Sequence, residues 1–232
     1  MIRLATWNVH KCQGIDRKVS VRRIADVIAE YRPEAIGLQE IFAGQAEELG
    51  ALLGMHLVPG SVRKLSGQSY GNAVLSALPP ASASTFDISV SGREPRGGQR
   101  VDFDLGNGVL LHLFNFHFGT GFLERRRQAR LISESKLCSI AEGNGPRVVV
   151  GDFNEWTHGQ VSRMLACEFR GADIRIHMKG RRTYPGLLPI LHLDHIYYDD
   201  SLCLQHVALH RTPKALIASD HLPLYADFRL TG

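Results

Sequence analysis

The run Val148-Val149-Val150-Gly151-Asp152-Phe153-Asn154 decides how the rest of the chain is read. Three successive valines describe a buried strand, and a carboxylate follows it at once. Burying such a group is costly unless it is paired or metal-bound. In an extended segment Asp152 and Asn154 face one way and Phe153 the other, into the core, while Gly151 lets a ligand or a neighbouring chain approach the backbone. A carboxylate and an amide then meet at one point, and hard oxygen donors of this kind suit Mg²⁺ or Mn²⁺. An Asx turn capping the next segment is the other reading of the same pair.

The same juxtaposition recurs on either side. Glu40 follows the short apolar run Ala35 to Leu38, and Asp220 with His221 precedes the apolar strand Leu222 to Phe228. Asp194 lies inside Leu193-Asp194-His195-Ile196, which otherwise reads as an apolar strand. An acid there needs a partner, and pairing it with His221 would fix the imidazole tautomer and raise its basicity. A general base or a phosphate-binding imidazolium requires that arrangement.

Between these points the pattern alternates strands with helices. Ile2 to Val9 reads as a strand. A helix follows with Ser20 as N-cap, Val21, Ile24, Val27, Ile28 and Tyr31 at helical spacing, and Pro33 as its stop. Gln45 to Leu53 reads as a second helix and Leu123 to Glu142 as the longest one. Further strands are expected over Asn72–Leu78, Ser84–Val90, Arg100–Leu105, Val109–His117, Arg147–Val150 and Leu193–Tyr198. Gly106-Asn107-Gly108 supplies the positive φ angles of a tight hairpin turn. Ser91 to Gln99 and Lys179 to Pro189 are the least regular stretches and read as loops.

The chain has 232 residues, 44% hydrophobic and 22% charged, with 27 Lys plus Arg against 23 Asp plus Glu. These are globular values that exclude disorder and coiled coil, and no linker or repeat divides the chain, so one domain over residues 1–232 is expected. A net charge of +4 permits a phosphate-bearing partner but is far below that of a nucleic-acid coat protein. The four cysteines are Cys12, Cys138, Cys167 and Cys203. They lie far apart and are expected to be reduced and mostly buried. With no signal-peptide pattern and no apolar stretch of about 18 residues, a cytoplasmic monomer without stable membrane insertion is expected.

Other chemistries lack their patterns. His192 with His195, and His112 with His117, stand three and five residues apart, which on a strand places each pair on opposite faces, and no Cys and His set has zinc spacing. There is no Gly-x-Ser-x-Gly elbow and no phosphate loop of the Gly-x-x-x-x-Gly-Lys type.

Taken in order, Thr6-Trp7-Asn8-Val9-His10, Leu38-Gln39-Glu40, Gly71-Asn72-Ala73-Val74-Leu75-Ser76, Asn115-Phe116-His117, Gly151-Asp152-Phe153-Asn154, Leu193-Asp194-His195-Ile196 and Ser219-Asp220-His221 form a set that resembles the endonuclease/exonuclease/phosphatase superfamily, the DNase I-like proteins. The blocks around Arg182-Thr183-Tyr184-Pro185 and Asn8-Val9-His10-Lys11 look most like its small bacterial single-domain branch. The resemblance implies an α/β fold, a four-layer α/β/β/α sandwich of two mixed β-sheets with the active site at one end. It also implies Mg²⁺-dependent hydrolysis of a phosphate ester, with Mn²⁺ as a substitute. Asn8, Glu40 and Asp220 match the metal-proximal residues, and Asp152 and Asn154 those that orient water and phosphate. His221 matches the site histidine, Asp194 its acid, and His117 a second histidine near the phosphate or leaving oxygen. Cationic imidazoles and the metal would neutralise phosphoryl charge while Asp152 or His221 takes a proton from water.

A nucleic acid, DNA first, is the expected substrate, with Arg93, Arg96 and Arg100 and Lys179, Arg181 and Arg182 meeting phosphates from flanking loops. His10, Tyr70, Asn72 and Arg96 are candidate substrate contacts. A phospholipid or sugar-phosphate esterase is the second reading, drawn from the apolar loop Pro185 to Leu191. A non-catalytic phosphate-ligand binding protein is the third, which the completeness of the matched positions disfavours.

Overall fold

The computed structural model describes residues 1–135, 145–155, 159–172, 183–185 and 191–231. Its strands are β1 (Ile2–Asn8), β2 (Ala35–Phe42), β3 (His56–Leu65), β4 (Gln68–Ser76), β5 (Pro80–Asp87), β6 (Gly97–Asp104), β7 (Leu110–His117), β8 (Arg147–Asp152), β9 (Arg170–Gly171), β10 (Asp194–Tyr198), β11 (Leu202–Leu209) and β12 (Leu224–Leu230). They form two six-stranded sheets, ordered β11-β12-β1-β2-β4-β3 and β5-β6-β7-β8-β10-β9. Each sheet has one parallel pair at its centre, β1 with β2 and β7 with β8, among antiparallel neighbours. Both sheets are therefore mixed, and the strands that carry the candidate site run side by side in the same direction.

Side-chain alternation makes the layers. Val148 and Val150 pack between the sheets with Leu4, Val74, Leu113, Leu224 and Phe228, whereas Val149 faces outward with Phe114, Phe116 and Phe153. Helix α1 (Val21–Tyr31) and helix α2 (Ala43–Leu53) cover the outside of the first sheet around Trp7, Leu38 and Leu75. Helix α3 (Phe122–Glu134) and helix α4 (Gln160–Leu165) cover the second. Three apolar seams between four layers give the sandwich. At about 1.5–3 kcal/mol for each large apolar side chain removed from water, these seams outweigh any single polar contact at the site.

Helix α1 starts and stops as its sequence indicates. Ser20 Oγ accepts from Arg23 N at 3.2 Å, and Arg32 closes the helix in a left-handed conformation before Pro33. The β6–β7 hairpin turns at residues 106–108 with Gly106, Asn107 and Gly108 all at positive φ. Other elements depart from expectation. β6 begins at Gly97, inside the expected loop, because added Cβ atoms on Gly97 and Gly98 would overlap the side chains of Val62 and Phe116. Glycine there marks close strand packing. The edge strands β3 and β11 escape the pattern, one interrupted by Pro59-Gly60 and the other bulged between Leu204 and His206. Helix α3 ends at Glu134, and residues 136–144 of the longer expected helix lie outside the described residues. Cys12 is buried, but Cys167 and Cys203 are exposed, correcting the expectation of mostly buried thiols. Cys138 lies outside the described residues. None of the described helices is long and apolar enough to cross a membrane.

Candidate active site

The ends of β1, β2, β7 and β8 meet at one end of the sandwich. Asn8 closes β1, and its amide donates to Asp152 Oδ2 at 2.9 Å and to Glu40 Oε1 at 3.3 Å. Glu40 stands where β2 bulges between Leu38 and Ile41, with φ at 57°. A bulge re-aims a side chain, and a left-handed glutamate persists only when its surroundings hold it. Tyr70 helps to hold it, its hydroxyl donating to Glu40 Oε2 at 3.2 Å. Burial, with Glu40 beside it, pushes the Tyr70 phenol up, so it remains a donor.

Asp152 ends β8 and is buried. Gly151 is needed beside it because a Cβ there would overlap the Phe116 carbonyl of β7. Asn154 is left-handed, φ 51°, so the expected extended alternation ends at Phe153. Its backbone N–H donates to Asp152 Oδ1 at 2.9 Å, an Asx turn, yet its side chain still reaches the site, donating to the Phe118 carbonyl at 3.0 Å and lying 3.4 Å from His117 Nε2. The Asx-turn reading of this pair is thus the one whose geometry is present, while the Asn154 side chain still lies beside His117. Burial raises the Asp152 carboxyl to about 6, and the neighbouring Asp194 adds to the rise against the opposing charge of His221.

His221 Nδ1 lies 2.9 Å from Asp194 Oδ2, the pairing inferred from an acid in an apolar strand. The backbone fixes the ring, since Trp7 Nε1 donates to the His221 carbonyl at 2.9 Å and Ser219 Oγ donates to the Asn8 carbonyl at 2.8 Å. Burial alone would lower the imidazole pKa, but the carboxylates of Asp194 and Asp152 raise it to about 10. The surroundings thus favour the imidazolium form of His221, whose Nε2 is 3.8 Å from Asp152 Oδ2.

His117 Nε2 is 3.7 Å from that same oxygen. Arg96 Nη1 lies 2.9 Å and 3.0 Å from its two ring nitrogens. Burial, then the Arg96 charge, lower its pKa well below 6.5. Both influences favour the neutral ring at His117, against the expectation of two cationic imidazoles. Arg96 itself is buried at the site, at the end of the loop that leads into β6, and Arg100 lies in β6 with its Nε donating to Asp102 Oδ1 at 2.8 Å. Arg93 is exposed. Lys179, Arg181 and Arg182, and residues 186–190 of the apolar loop, lie outside the described residues.

His10 projects over the carboxylates, its Nδ1 3.4 Å from Asp220 Oδ2 and 4.0 Å from Glu40 Oε2. Its bond to Asp220 raises its pKa. Two carboxylates, with the Asn8 amide beside Glu40, thus converge on one cationic position. The two carboxylates are hard oxygen donors of the kind Mg²⁺ or Mn²⁺ takes, while Asn8 Oδ1 accepts from His10 N at 3.1 Å. Among the described residues no three His, Cys, Asp or Glu side chains are grouped to hold a metal ion. Asn72 faces elsewhere, donating to the Gly97 carbonyl at 2.9 Å and so bracing the strand that follows Arg96.

A buried amide network beneath the site went unread in the sequence. Gln39 Nε2 donates to Asn115 Oδ1 at 2.7 Å and to Thr6 Oγ1 at 3.1 Å, and Asn115 Nδ2 reaches Gln99 Oε1 at 3.1 Å. It ties β1 and β2 of one sheet to β6 and β7 of the other. Gly37 makes room for it, because a Cβ there would come within 2.8 Å of Asn115. The available signal was Gln39 at the end of an apolar run.

The model of the Endonuclease/Exonuclease/phosphatase family matches residues 5–221. The uncharacterized protein YbhP of Escherichia coli (strain K12) is 27% identical over 249 residues, spanning 98% of this chain and 96% of that protein. Among solved structures, a mannosyl-6-phosphatase of Bacteroides thetaiotaomicron VPI-5482 superposes with a TM-score of 0.82 at 18% identity, over 99% of this chain and 100% of that one. D. rerio TDP2, in complex with single strand DNA product, gives 0.78 at 16% identity over 98% of each chain. At these identities the two likenesses concern the fold.

Proposed function

Because the chain belongs to the endonuclease/exonuclease/phosphatase family, we infer that its site hydrolyses a phosphate ester with the help of a divalent ion, with a nucleic-acid phosphodiester as the first substrate to test. The observation that carries this reading is a buried carboxylate, Asp152, between two imidazoles at 3.7 and 3.8 Å, whose surroundings favour the neutral form of one and the cationic form of the other. Raised to about 6, Asp152 is ionised at neutral pH yet basic enough to take a proton from water, so it fits the general base better than His221, which already holds its proton. Asn8 and Asn154 fix its two oxygens. The His221 imidazolium, held by Asp194, is placed to stabilise negative charge on the phosphoryl oxygens, and neutral His117 offers one N–H to the phosphate or leaving oxygen.

Glu40 and Asp220, with the Asn8 amide, would hold Mg²⁺ or Mn²⁺, which when bound supplies Lewis-acid neutralisation of the phosphoryl group. The substrate reading rests on the net charge of +4 and on the cations around the site, Lys11, Arg63 and Arg96, since phosphate contacts supply most nucleic-acid affinity.

The test is Mg²⁺-dependent hydrolysis of bis(p-nitrophenyl) phosphate alongside nicking of supercoiled plasmid, with Asp152→Asn and His221→Ala in parallel. Both activities are expected in the wild type and neither in the variants. Hydrolysis of the small ester without nicking would remove nucleic acid as substrate. Inactivity of folded, Mg²⁺-binding protein on both would remove the hydrolytic reading.

A further inference from the structure

One carboxylate at the rim of the site has no part in the chemistry above. Glu94 is 60% exposed at its side chain and bridges two guanidinium groups, its Oε1 3.1 Å from Arg63 Nη1 and its Oε2 3.1 Å from Arg96 Nη2. The two arginines are only 20% and 11% exposed. Arg96 faces His117, a ring that its charge helps to keep neutral. Its buried Nε has no hydrogen-bond partner among the described residues.

The position of Arg63 is built. β3 shifts register between Ser61 and Arg63, placing Arg63 opposite Tyr70 of β4. Gly71, next to Tyr70, allows the shift, because a Cβ there would come within 2.7 Å of Val62 N. A bulge beside an active site serves to re-aim a side chain. Here it sets the Arg63 guanidinium 5.2 Å from the centre of the Tyr70 ring, whose hydroxyl binds Glu40. The Arg63 charge is felt at both Tyr70 and His117.

Glu94 is held differently. The loop carrying it is pinned at its neck, where Ile88 N donates to the Arg96 carbonyl at 3.0 Å and Arg96 N donates to Ser89 Oγ at 3.1 Å. Beyond that neck, among the described residues, the Glu94 side chain is held by the two arginines alone. If it leaves, two poorly hydrated guanidinium groups, whose planar forks match phosphate, face the site beside the half-buried Lys11 without a counter-charge.

We propose that Arg63 and Arg96 form a second anion subsite of the phosphoesterase centre, occupied in the free enzyme by the displaceable carboxylate of Glu94, and that the preferred substrates are phosphate esters carrying another phosphate beside the scissile one. Such a phosphate belongs either to an adjoining phosphoanhydride or to the next position on a sugar. The proposal rests on the phosphoesterase reading for its substrate class, while anion binding needs no turnover.

The test is calorimetry on the metal-free protein with two pairs of probes, methylphosphonate against methylenediphosphonate and thymidine 5′-monophosphate against thymidine 3′,5′-bisphosphate. The wild type is expected to prefer at least one bis-anion about tenfold over its parent, on the scale of a charged hydrogen bond. Which one gains identifies the source of the second phosphate. Arg63→Ala is expected to erase that preference while leaving the mono-anion within about twofold, Arg63→Lys to keep part of it, and Glu94→Gln to tighten the bis-anion about fivefold. A wild type without preference, an Arg63→Ala that weakens mono- and bis-anions alike, or a Glu94→Gln without effect would overturn the subsite. Loss of hydrolysis in Asp152→Asn is read separately, so either proposal can fail without the other.

Discussion

Two imidazoles flank Asp152 at nearly equal distance, and the protein pushes their pKa values in opposite directions. Behind His221, across the gap between the sheets, stands the carboxylate of Asp194 at 2.9 Å. Behind His117, within the second sheet, stands the guanidinium of Arg96 at 2.9 Å. Both rings are buried, so desolvation disfavours charge on each. The difference comes from the partner, which overcomes desolvation on one side and reinforces it on the other. A charge-polarised pair results, the cationic form favoured on the Asp194 side and the neutral form on the Arg96 side. Neither role is a property of histidine itself.

The largest effect expected from disturbing this arrangement is at its centre. Asp152→Asn removes the base and leaves both imidazoles in place, so phosphodiester hydrolysis should fall by about 10³–10⁴ at saturating substrate, measured as kcat. Asp194→Asn should cost about 10²-fold in kcat and, more informatively, should return the His221 titration toward the ordinary range. A His221 that keeps its proton without Asp194 would break the comparison on that side. On the other side, Arg96→Met should let His117 titrate at higher pH, visible in its ring carbon shifts.

Two smaller predictions concern stability. Gln39→Leu leaves Asn115 Oδ1 and Thr6 without their partner between the sheets and should cost about 1–3 kcal/mol in urea unfolding. The pair His112 and Asp102, also buried and 2.8 Å apart, provides a control away from the site. Burial would raise the Asp102 carboxyl, but His112, Arg100 and Ser82 hold it at about 2. Its stabilisation is therefore present above the ordinary value of 3.8 and lost as pH falls toward about 2, amounting to about 2 kcal/mol at neutral pH. Unfolding of Asp102→Asn should differ from wild type at pH 7 and converge with it near pH 2, with no change in phosphodiester hydrolysis at pH 7.

Much of this was legible in the chain because it follows from repeating geometry. Val148 to Val150 gave the central strand, and their alternation fixed which face each valine takes. An acid in the apolar run at Asp194 demanded a partner, and His221 supplied it. The remainder depends on conformations that no residue pattern records. Glu40 is aimed by a bulge and Asn154 by a left-handed turn, both at residues other than glycine. Arg96 reads as one loop cation among several because nothing in the order Glu94-Pro95-Arg96 says that the chain folds back onto His117. Gly97-Gly98 read as loop for the same reason, since the close approach that requires glycine is made by residues distant in the chain. Gln39 and Gln99 became intelligible only once two sheets faced each other.

The charge states themselves are the most direct point of attack. Nitrogen-15 and carbon-13 shifts of the histidine rings, followed in the metal-free protein from pH 5 to pH 9, separate imidazolium from neutral imidazole at each site. The arrangement predicts that His221 remains doubly protonated through about pH 9 and that His117 loses its proton well below the ordinary value. Two rings titrating together near the unperturbed value of about 6.5 would contradict it.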